Sequence, residues 1–319
     1  MNQDIYVLIE HLHGEVADIS YIGLAAARDL AQETGGQIVG LLLGHNAQNL
    51  ASSLAADSIL YADHPALAEF TSDAYQKTVA SLIEEKEPQA VLFGNTSIGA
   101  DVASVLSARL SLPLVSSCVQ TRGGKLTSQI CGGKIMAESE LAEATTLITV
   151  IPGGYKAESG QSETAPEVIS FGAPPLDDLR VRLKEYIEPE AGDVDISKEA
   201  ILIAIGRGIQ TEDNVELAEE LAELLGGKVC ASRPVVDQGW LPTSRMVGKS
   251  GQTVKPKLYL ALGISGAPEH VEGMVESEMI VAVNMDPNAP IFDVATYGVE
   301  FDFFDLVDPL LEQLEEEKG

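Results

Sequence analysis

Short apolar runs alternate with amphipathic helical patterns in the first part of the chain. Helical spacing of apolar residues covers about 18–34, 65–86 and 98–110. The β-branched and aliphatic runs are Ile5 to Ile9, Ile38 to Leu43, Ser58 to Tyr61 and Ala90 to Phe93. Since strands that alternate with helices form a parallel sheet with helices packed on it, this pattern predicts an α/β domain.

From Leu114 the pattern changes to one strand after another. Gly-Gly pairs at 123–124 and 132–133 predict turns, and further strands are predicted at 147–151 and 168–171. Consecutive strands joined by short turns are typical of antiparallel sheets. The sequence therefore predicts an antiparallel extension of the first sheet.

The segment 185–197 has the composition of an interdomain linker, with Pro189, Gly192 and five acidic residues. A chain of 319 residues also exceeds the usual length of one domain. After the segment the alternation restarts, with strands at 201–205, 257–262 and 279–283 and helices over about 213–225, 267–276 and from 305. We expect two domains, an N-terminal α/β domain over 1–188 and a doubly wound, Rossmann-like α/β domain over 189–319.

The net charge of −29, from 49 acidic and 20 basic residues, argues against a nucleic-acid or anionic-membrane surface. The amino terminus has neither a basic region nor a long apolar stretch before its first strand, so we expect a cytoplasmic protein. The three cysteines form no C-x-x-C pair and the five histidines are scattered. Neither a disulfide framework nor a zinc or iron–sulfur site is predicted.

Small and polar residues follow the predicted strands of the second domain. Gly206, Arg207 and Gly208 come after its first strand, 263–266 after a later one, and Asn284 after the next. Open α/β sheets bind ligands at this edge, often through a phosphate group, so the pattern favours a nucleotide site. The glycines alone are also consistent with tight turns, because no third glycine completes a Rossmann fingerprint.

One stretch of this acidic chain is basic. Residues 228–257 contain six lysines and arginines against a single acid, Asp237, and an anionic ligand would account for this reversal. The lysines at 228, 255 and 257 flank strands, where solvent-exposed charged side chains protect against aggregation, so they need no ligand. Arg233, Arg245 and Lys249 lie in predicted loops and are ligand candidates. His270, in the first turn of a predicted helix, is either a further ligand or a surface residue.

A series of segments closely resembles electron-transfer flavoprotein alpha subunits. In the second domain these are GRG at 206–208, ASRPVVDQGW at 231–240, VGKSG at 247–251, LYLALGISGAPEH at 258–270, IVAVNMDPNAPIF at 280–292 and YGVEFD at 297–302. In the first domain they are LIEH at 8–11, DHPAL at 63–67, LFGNTSIGADVA at 92–103 and GGK at 132–134. The resemblance covers nearly the whole chain.

The resemblance implies one FAD in the second domain. It places Arg207 at the phosphate or adenosine part, Ser232 and Arg233 against the flavin, and the Ser250 hydroxyl near flavin N5. It further implies that the isoalloxazine is lined by Val247, Gly248, Lys249 and Ser250. The ribityl, pyrophosphate and flavin O2 edge would be approached by Ser265, Gly266, Ala267, Pro268, Glu269 and His270. The adenosine side would be held by Asn284, Asp302 and Phe303.

The resemblance also implies a heterodimer. A beta subunit binding AMP or a second FAD would pair with the first domain, and electrons would pass from dehydrogenases to a quinone reductase or other acceptor, with no catalytic acid or base in this chain. Lys249, Ser250 and Glu269 depart from the familiar family pattern, which leaves the flavin potentials open. Two alternatives share the same sheet-edge site: a pyridine-nucleotide-dependent oxidoreductase subunit and a non-redox adenylate-binding regulatory module.

Overall fold

The computed structural model describes residues 2–131, 134–186 and 194–318. The chain divides into two compact units, Met1–Tyr186 and Ile187–Gly319, called here the first and the second unit. The predicted turn at 132–133 and the centre of the predicted linker, including Pro189 and Gly192, lie outside the described residues.

The first unit is built on a nine-stranded sheet and a separate two-stranded sheet. The strands are β1 (Ile5–Ile9), β2 (His11–Leu12), β3 (Glu15–Val16), β4 (Ile38–Gly44), β5 (Ser58–Asp63), β6 (Ala90–Gly94), β7 (Leu114–Gln120), β8 (Lys125–Ile130), β9 (Ile135–Glu140), β10 (Thr146–Val150) and β11 (Glu167–Ser170). The strand order in the large sheet is β11-β5-β4-β1-β6-β10-β7-β8-β9, and β2 pairs with β3 in the small one.

The antiparallel extension is confirmed for β8 and β9, which pair antiparallel beyond β7. The prediction is wrong for the last two strands of the unit. β10 runs parallel between β6 and β7, and β11 runs parallel to β5 at the opposite edge. All five residues of β10 are buried, as expected of a strand that is covered on both faces within a parallel sheet.

Three helices cover the two faces of this sheet: α1 (Asp18–Thr34), α2 (Ser72–Lys86) and α3 (Ser97–Leu110). Alternate residues of β1 point to opposite faces. Ile5, Val7 and Ile9 pack in one core with α1 residues, whereas Tyr6 and Leu8 pack in another with residues of α2 and α3. The helix expected from residue 65 begins at Ser72, after a short 3-10 turn at Pro65–Leu67.

A buried carboxylate joins the end of β1 to the start of α3. Glu10 is 4% exposed, and its two carboxylate oxygens accept hydrogen bonds from the Thr96 hydroxyl at 2.8 and 3.0 Å. A Cβ added at Gly94 or Gly99 would approach Glu10 Oε1 to 2.7 or 2.8 Å, so glycine is required for the carboxylate to fit. Burial raises the pKa of Glu10 to about 7, although hydrogen bonds from Thr96 and from Gly94 and Gly99 oppose the shift.

We expect the stability of the chain to fall between about pH 4.5 and 7 because of Glu10. The folded state binds this proton more tightly than the unfolded state, so the carboxyl costs about 3 kcal/mol once pH exceeds the folded pKa. Denaturant titrations from pH 5 to 8 should give a smaller loss of stability for Glu10→Gln than for the wild type. The exposed Glu15→Gln variant is the control, and a Glu10→Gln slope equal to that of Glu15→Gln would contradict the expectation.

The second unit contains a five-stranded, wholly parallel sheet. Its strands are β12 (Ile201–Ile205), β13 (Lys228–Ala231), β14 (Leu258–Leu262), β15 (Ile280–Asn284) and β16 (Tyr297–Glu300), and their order in the sheet is β13-β12-β14-β15-β16. Its helices are α4 (Val215–Leu225), α5 (Arg233–Asp237), α6 (Pro268–Val271) and α7 (Phe303–Lys318). The helix expected over 267–276 is therefore limited to one turn. The strand expected beside Lys228 is β13, for which no bounds had been predicted, and β16 had not been predicted.

The two faces of this second sheet are both covered. Ile203 and Ile205 pack with α4 and α7 residues in one core, and Leu202 and Ala204 pack with Tyr259 in the other. The chain leaves β12, β13 and β14 at the carboxyl edge of the sheet. The fold thus directs three loops to one edge.

Candidate functional site

A cavity of about 660 Å³ lies at the carboxyl ends of β12, β13 and β14. Its volume is within the usual range for small-molecule and cofactor sites. Eleven of the sixteen predicted site residues line it: Arg207, Ser232, Arg233, Val247, Gly248, Lys249, Ser250, Ser265, Ala267, Glu269 and His270. Residues far apart in the sequence thus converge on one concave surface.

Two of the lining loops touch backbone to backbone. Gly206 N donates to Leu262 O at 2.8 Å, and Gly208 N donates to Gly263 O at 3.1 Å. A Cβ at Gly206 would lie 2.2 Å from the Gly263 oxygen, so a side chain cannot be accommodated there. The glycines after β12 therefore allow close packing of the β12 and β14 loops, which is the structural role left open by the sequence.

The third loop, 246–251, is held in place by backbone hydrogen bonds to two other segments. Val247 N donates to Ala231 O at 2.9 Å, and Lys249 N donates to Glu269 O at 2.7 Å. Gly248 has φ +135°, and a Cβ added to it would lie 2.6 Å from the same Glu269 oxygen. This geometry holds the backbone of 247–250 against the segment that carries His270.

Three cations line the cavity, and two of them have acidic neighbours. Arg233 Nε lies 3.4 Å from Asp237 Oδ2, with the Arg233 side chain 67% exposed, so the pair contributes little to stability. Lys249 Nζ lies 3.9 Å from Glu272 Oε2. Arg207 is the third cation. The site therefore offers positive charge to an anionic ligand.

Arg245, also a candidate from the sequence, does not line the cavity. Its Nη1 donates to Val229 O at 3.0 Å, a contact that ties the loop to the start of β13.

His270 is the most buried polar side chain of the site, with 6% of its surface exposed. Its Nε2 lies 2.9 Å from the hydroxyl of Tyr259 on β14, and its Nδ1 is buried without a hydrogen-bond partner among the described residues. Burial lowers the pKa of His270 to about 4, and the Val247 carbonyl opposes this shift only in part. The imidazole is therefore neutral at physiological pH, and Nδ1 is the atom available to a ligand.

Five predicted residues lie outside the cavity lining. Asn284 Nδ2 donates to Ile264 O at 2.8 Å, and Asp302 Oδ1 accepts from Phe304 N at 3.1 Å at the start of α7. Phe303 is 4% exposed within the core shared with α4 and α7. Gly266 and Pro268 belong to the loop that leads into α6. Contacts of these residues with a nucleotide remain predictions.

Several residues of the cavity lining were not predicted from the sequence. They are Pro234, Asp237, Met246, Gly251 and Ile264. All but Met246 fall inside the segments that carried the resemblance, and Met246 directly precedes one of them. These lining residues could have been predicted if each segment had been treated as one continuous loop. Among the residues that the structure describes, no cluster of acidic, histidine and cysteine side chains could hold a metal ion.

The fold and this site define a two-domain α/β protein with a cofactor-sized cavity at the edge of a parallel sheet. Residues 195–275 match the model of the electron transfer flavoprotein FAD-binding domain, and residues 5–176 match the electron transfer flavoprotein domain. The chain belongs to the electron transfer flavoprotein alpha-subunit family. The resemblance stated from its sequence segments is thereby confirmed.

Relatives of known name match over nearly the full length of this chain. It is 35% identical to "Electron transfer flavoprotein subunit alpha" of Thermoanaerobacterium thermosaccharolyticum, covering 99% of each chain. It is 34% identical to "Acryloyl-CoA reductase electron transfer subunit beta" of Anaerotignum propionicum, covering 99% of this chain and 97% of the relative. It is 31% identical to "Lactate dehydrogenase (NAD(+),ferredoxin) subunit LctC" of Acetobacterium woodii, covering 98% of this chain and 77% of the relative.

None of the helices within the described ranges is both long and apolar enough to cross a membrane.

Proposed function

We propose that this chain binds one FAD in the cavity of the second unit and transfers electrons as the alpha subunit of a heterodimer. One observation carries the proposal: every residue that lines the cavity falls between Gly206 and His270, within the segment that matches the FAD-binding domain model. The cavity and the segment that matches the FAD-binding domain therefore coincide.

The lining residues fit the chemistry of this cofactor. FAD carries a pyrophosphate and supplies an isoalloxazine ring that accepts and releases electrons. Arg207, Arg233 and Lys249 offer positive charge to anionic groups, and the Ser232 and Ser250 hydroxyls offer hydrogen bonds. The unpartnered Nδ1 of His270 is the orphaned polar atom that a bound ligand would satisfy.

The proteins that exchange electrons with this chain form the second part of the proposal. A beta subunit pairs through the first unit, dehydrogenases such as acyl-CoA dehydrogenases donate electrons, and a quinone reductase or another acceptor receives them. The names of the relatives, which include an acryloyl-CoA reductase and a lactate dehydrogenase, support exchange with dehydrogenases. We further propose that the complex works in the cytoplasm.

A second candidate differs in the beta subunit. In an ordinary electron carrier that subunit binds AMP, whereas in an electron-bifurcating complex it binds a second FAD. One relative is named for both NAD(+) and ferredoxin, and this name supports the electron-bifurcating candidate. A pyridine-nucleotide-dependent subunit is less well supported. In such enzymes an acidic residue at a fixed sequence spacing after the first strand binds the ribose hydroxyl, and no carboxylate follows β12 at that spacing.

Coexpression with the beta subunit, followed by extraction of the bound nucleotides, tests the proposal. We expect a yellow heterodimer with one FAD and one AMP, or with two FAD if the complex bifurcates electrons. The alpha chain alone should be poor in flavin and prone to aggregation. A colourless heterodimer, or one that releases NAD, would contradict the proposal.

A further inference from the structure

Asn284 ends β15 and contacts the loop that follows β14. Its Nδ2 donates to Ile264 O at 2.8 Å, and its Oδ1 accepts from the backbone N–H of Asp286 at 2.9 Å. Because a backbone carbonyl can only accept and a backbone N–H can only donate, these two partners fix the orientation of the side-chain amide. Ile264 lines the cavity and Asn284 does not. Asn284 therefore touches the lining of the cavity without being part of it.

The loop after β14 is held through its carbonyl oxygens. Besides the bond from Asn284 to Ile264 O, Ser265 O accepts from Ile291 N at 3.0 Å. A Cβ added at Gly266 would lie 2.2 Å from the same Ile291 nitrogen, so the loop packs tightly against this turn. Two successive carbonyl groups of the loop are thus directed at the segment that follows β15.

The N–H groups of the same loop have no such partners. Within the described residues, the backbone nitrogens of Ser265, Gly266 and Ala267 donate to no other group. In a planar trans peptide the N–H points opposite to the carbonyl of the preceding residue. The N–H of Ser265 therefore points away from Asn284, and that of Gly266 points away from Ile291. Since Ser265 and Ala267 line the cavity, this loop offers its N–H groups to a ligand there.

We propose that Asn284 is a positioning residue that turns the N–H groups of Ser265 and Gly266 toward the pyrophosphate of FAD by holding the Ile264 carbonyl. The inference rests on the proposed FAD site. Successive backbone N–H groups that face one side form a concave site for an anion. The sequence resemblance instead implied that Asn284 holds the adenosine side. Both polar atoms of its amide are bonded within the protein, so it acts on the ligand through the loop.

Binding of inorganic pyrophosphate to the FAD-free heterodimer tests the inference without a flavin or an adenosine. Asn284→Ala should raise the dissociation constant of pyrophosphate about 5-fold, which is the effect of losing one hydrogen bond. The affinity for adenosine alone should stay at the wild-type value. Weaker binding of adenosine with unchanged binding of pyrophosphate would show a direct adenosine contact and overturn the inference. Failure of the wild type to bind pyrophosphate would also contradict it.

Asn2→Ala is the matched control. In the first unit Asn2 makes the same two kinds of bond, from its Nδ2 to Lys86 O at 2.9 Å and to its Oδ1 from Asp4 N at 2.9 Å. This variant should lose stability and keep wild-type affinity for pyrophosphate and for FAD. Circular dichroism establishes that both variants are folded. Equal pyrophosphate affinities for Asn284→Ala and Asn2→Ala would mean that Asn284 contributes only to stability.

The flavin potential separates a role at the phosphate from a role at the ring. The pyrophosphate is the same in oxidised and reduced FAD, so Asn284→Ala should weaken FAD binding about 5-fold and leave the midpoint potential unchanged. A shifted potential would place the effect of Asn284 at the isoalloxazine and contradict the inference. If the heterodimer released NAD while the pyrophosphate affinities kept the expected pattern, the proposed cofactor would be wrong and the role of Asn284 would be supported.

Discussion

Gly248→Ala is expected to remove most of the FAD from the heterodimer. Gly248 has φ +135°, which residues with a Cβ rarely adopt, and the new methyl group would lie 2.6 Å from the Glu269 oxygen. Lys249 N donates to that same oxygen, so the loop cannot shift without breaking its attachment to the His270 segment. We expect the dissociation constant of FAD to rise about 100-fold, equivalent to about 3 kcal/mol.

The matched control for this variant is Gly226→Ala. Gly226 also has positive φ, at +70°, but a Cβ there would meet no atom within 4 Å. It should cost about 1 kcal/mol in stability and leave FAD affinity unchanged. Equilibrium titration of the flavin-free heterodimers with FAD gives both values. Equal affinities for Gly248→Ala and Gly226→Ala would show that the 246–251 loop does not contact the cofactor.

Arg233→Ala should lower the one-electron potentials of the flavin while FAD remains bound. A guanidinium near the ring stabilises the negative charge that develops on reduction. Because the Arg233 side chain is 67% exposed, screening limits the effect to about 1 kcal/mol, or roughly 40 mV for one electron. Lysine should restore only part of it, because it keeps the charge but not the planar group.

Asp237→Asn provides the opposite control for Arg233. Asp237 forms an exposed ion pair with Arg233 and also lines the cavity. Removing its charge should raise the potentials, because the guanidinium is no longer partly neutralised. Spectroelectrochemical titration measures both variants. Wild-type potentials in Arg233→Ala would mean that Arg233 serves only in the surface ion pair and would remove it from the flavin site.

Local patterns in the sequence were sufficient to predict the elements that lead to the site. The strands at 201–205 and 258–262 are continuous apolar runs, which mark strands buried on both faces. The polar loops after them carry nearly half of the residues that line the cavity. These features depend on neighbouring residues, so they can be recognised without the fold.

Features that depend on distant contacts could not be predicted. The insertion of β10 between β6 and β7 is decided by pairing across the sheet, and the four-residue β13 is too short to give a clear pattern. The contact between Tyr259 and His270 joins a strand to a loop-borne helix turn, and no sequence spacing indicates it. For the same reason, the close approach of Gly206 to Gly263 became apparent only in the folded chain.

The flavin content of a heterodimer whose alpha chain ends at Tyr186 tests the central claim most directly. This chain retains the first unit, which has its own two cores, and lacks every residue that lines the cavity. Circular dichroism and copurification with the beta subunit establish that the first unit is folded and paired. We predict one FAD fewer per heterodimer than with the full chain. An unchanged number of FAD molecules would contradict the account.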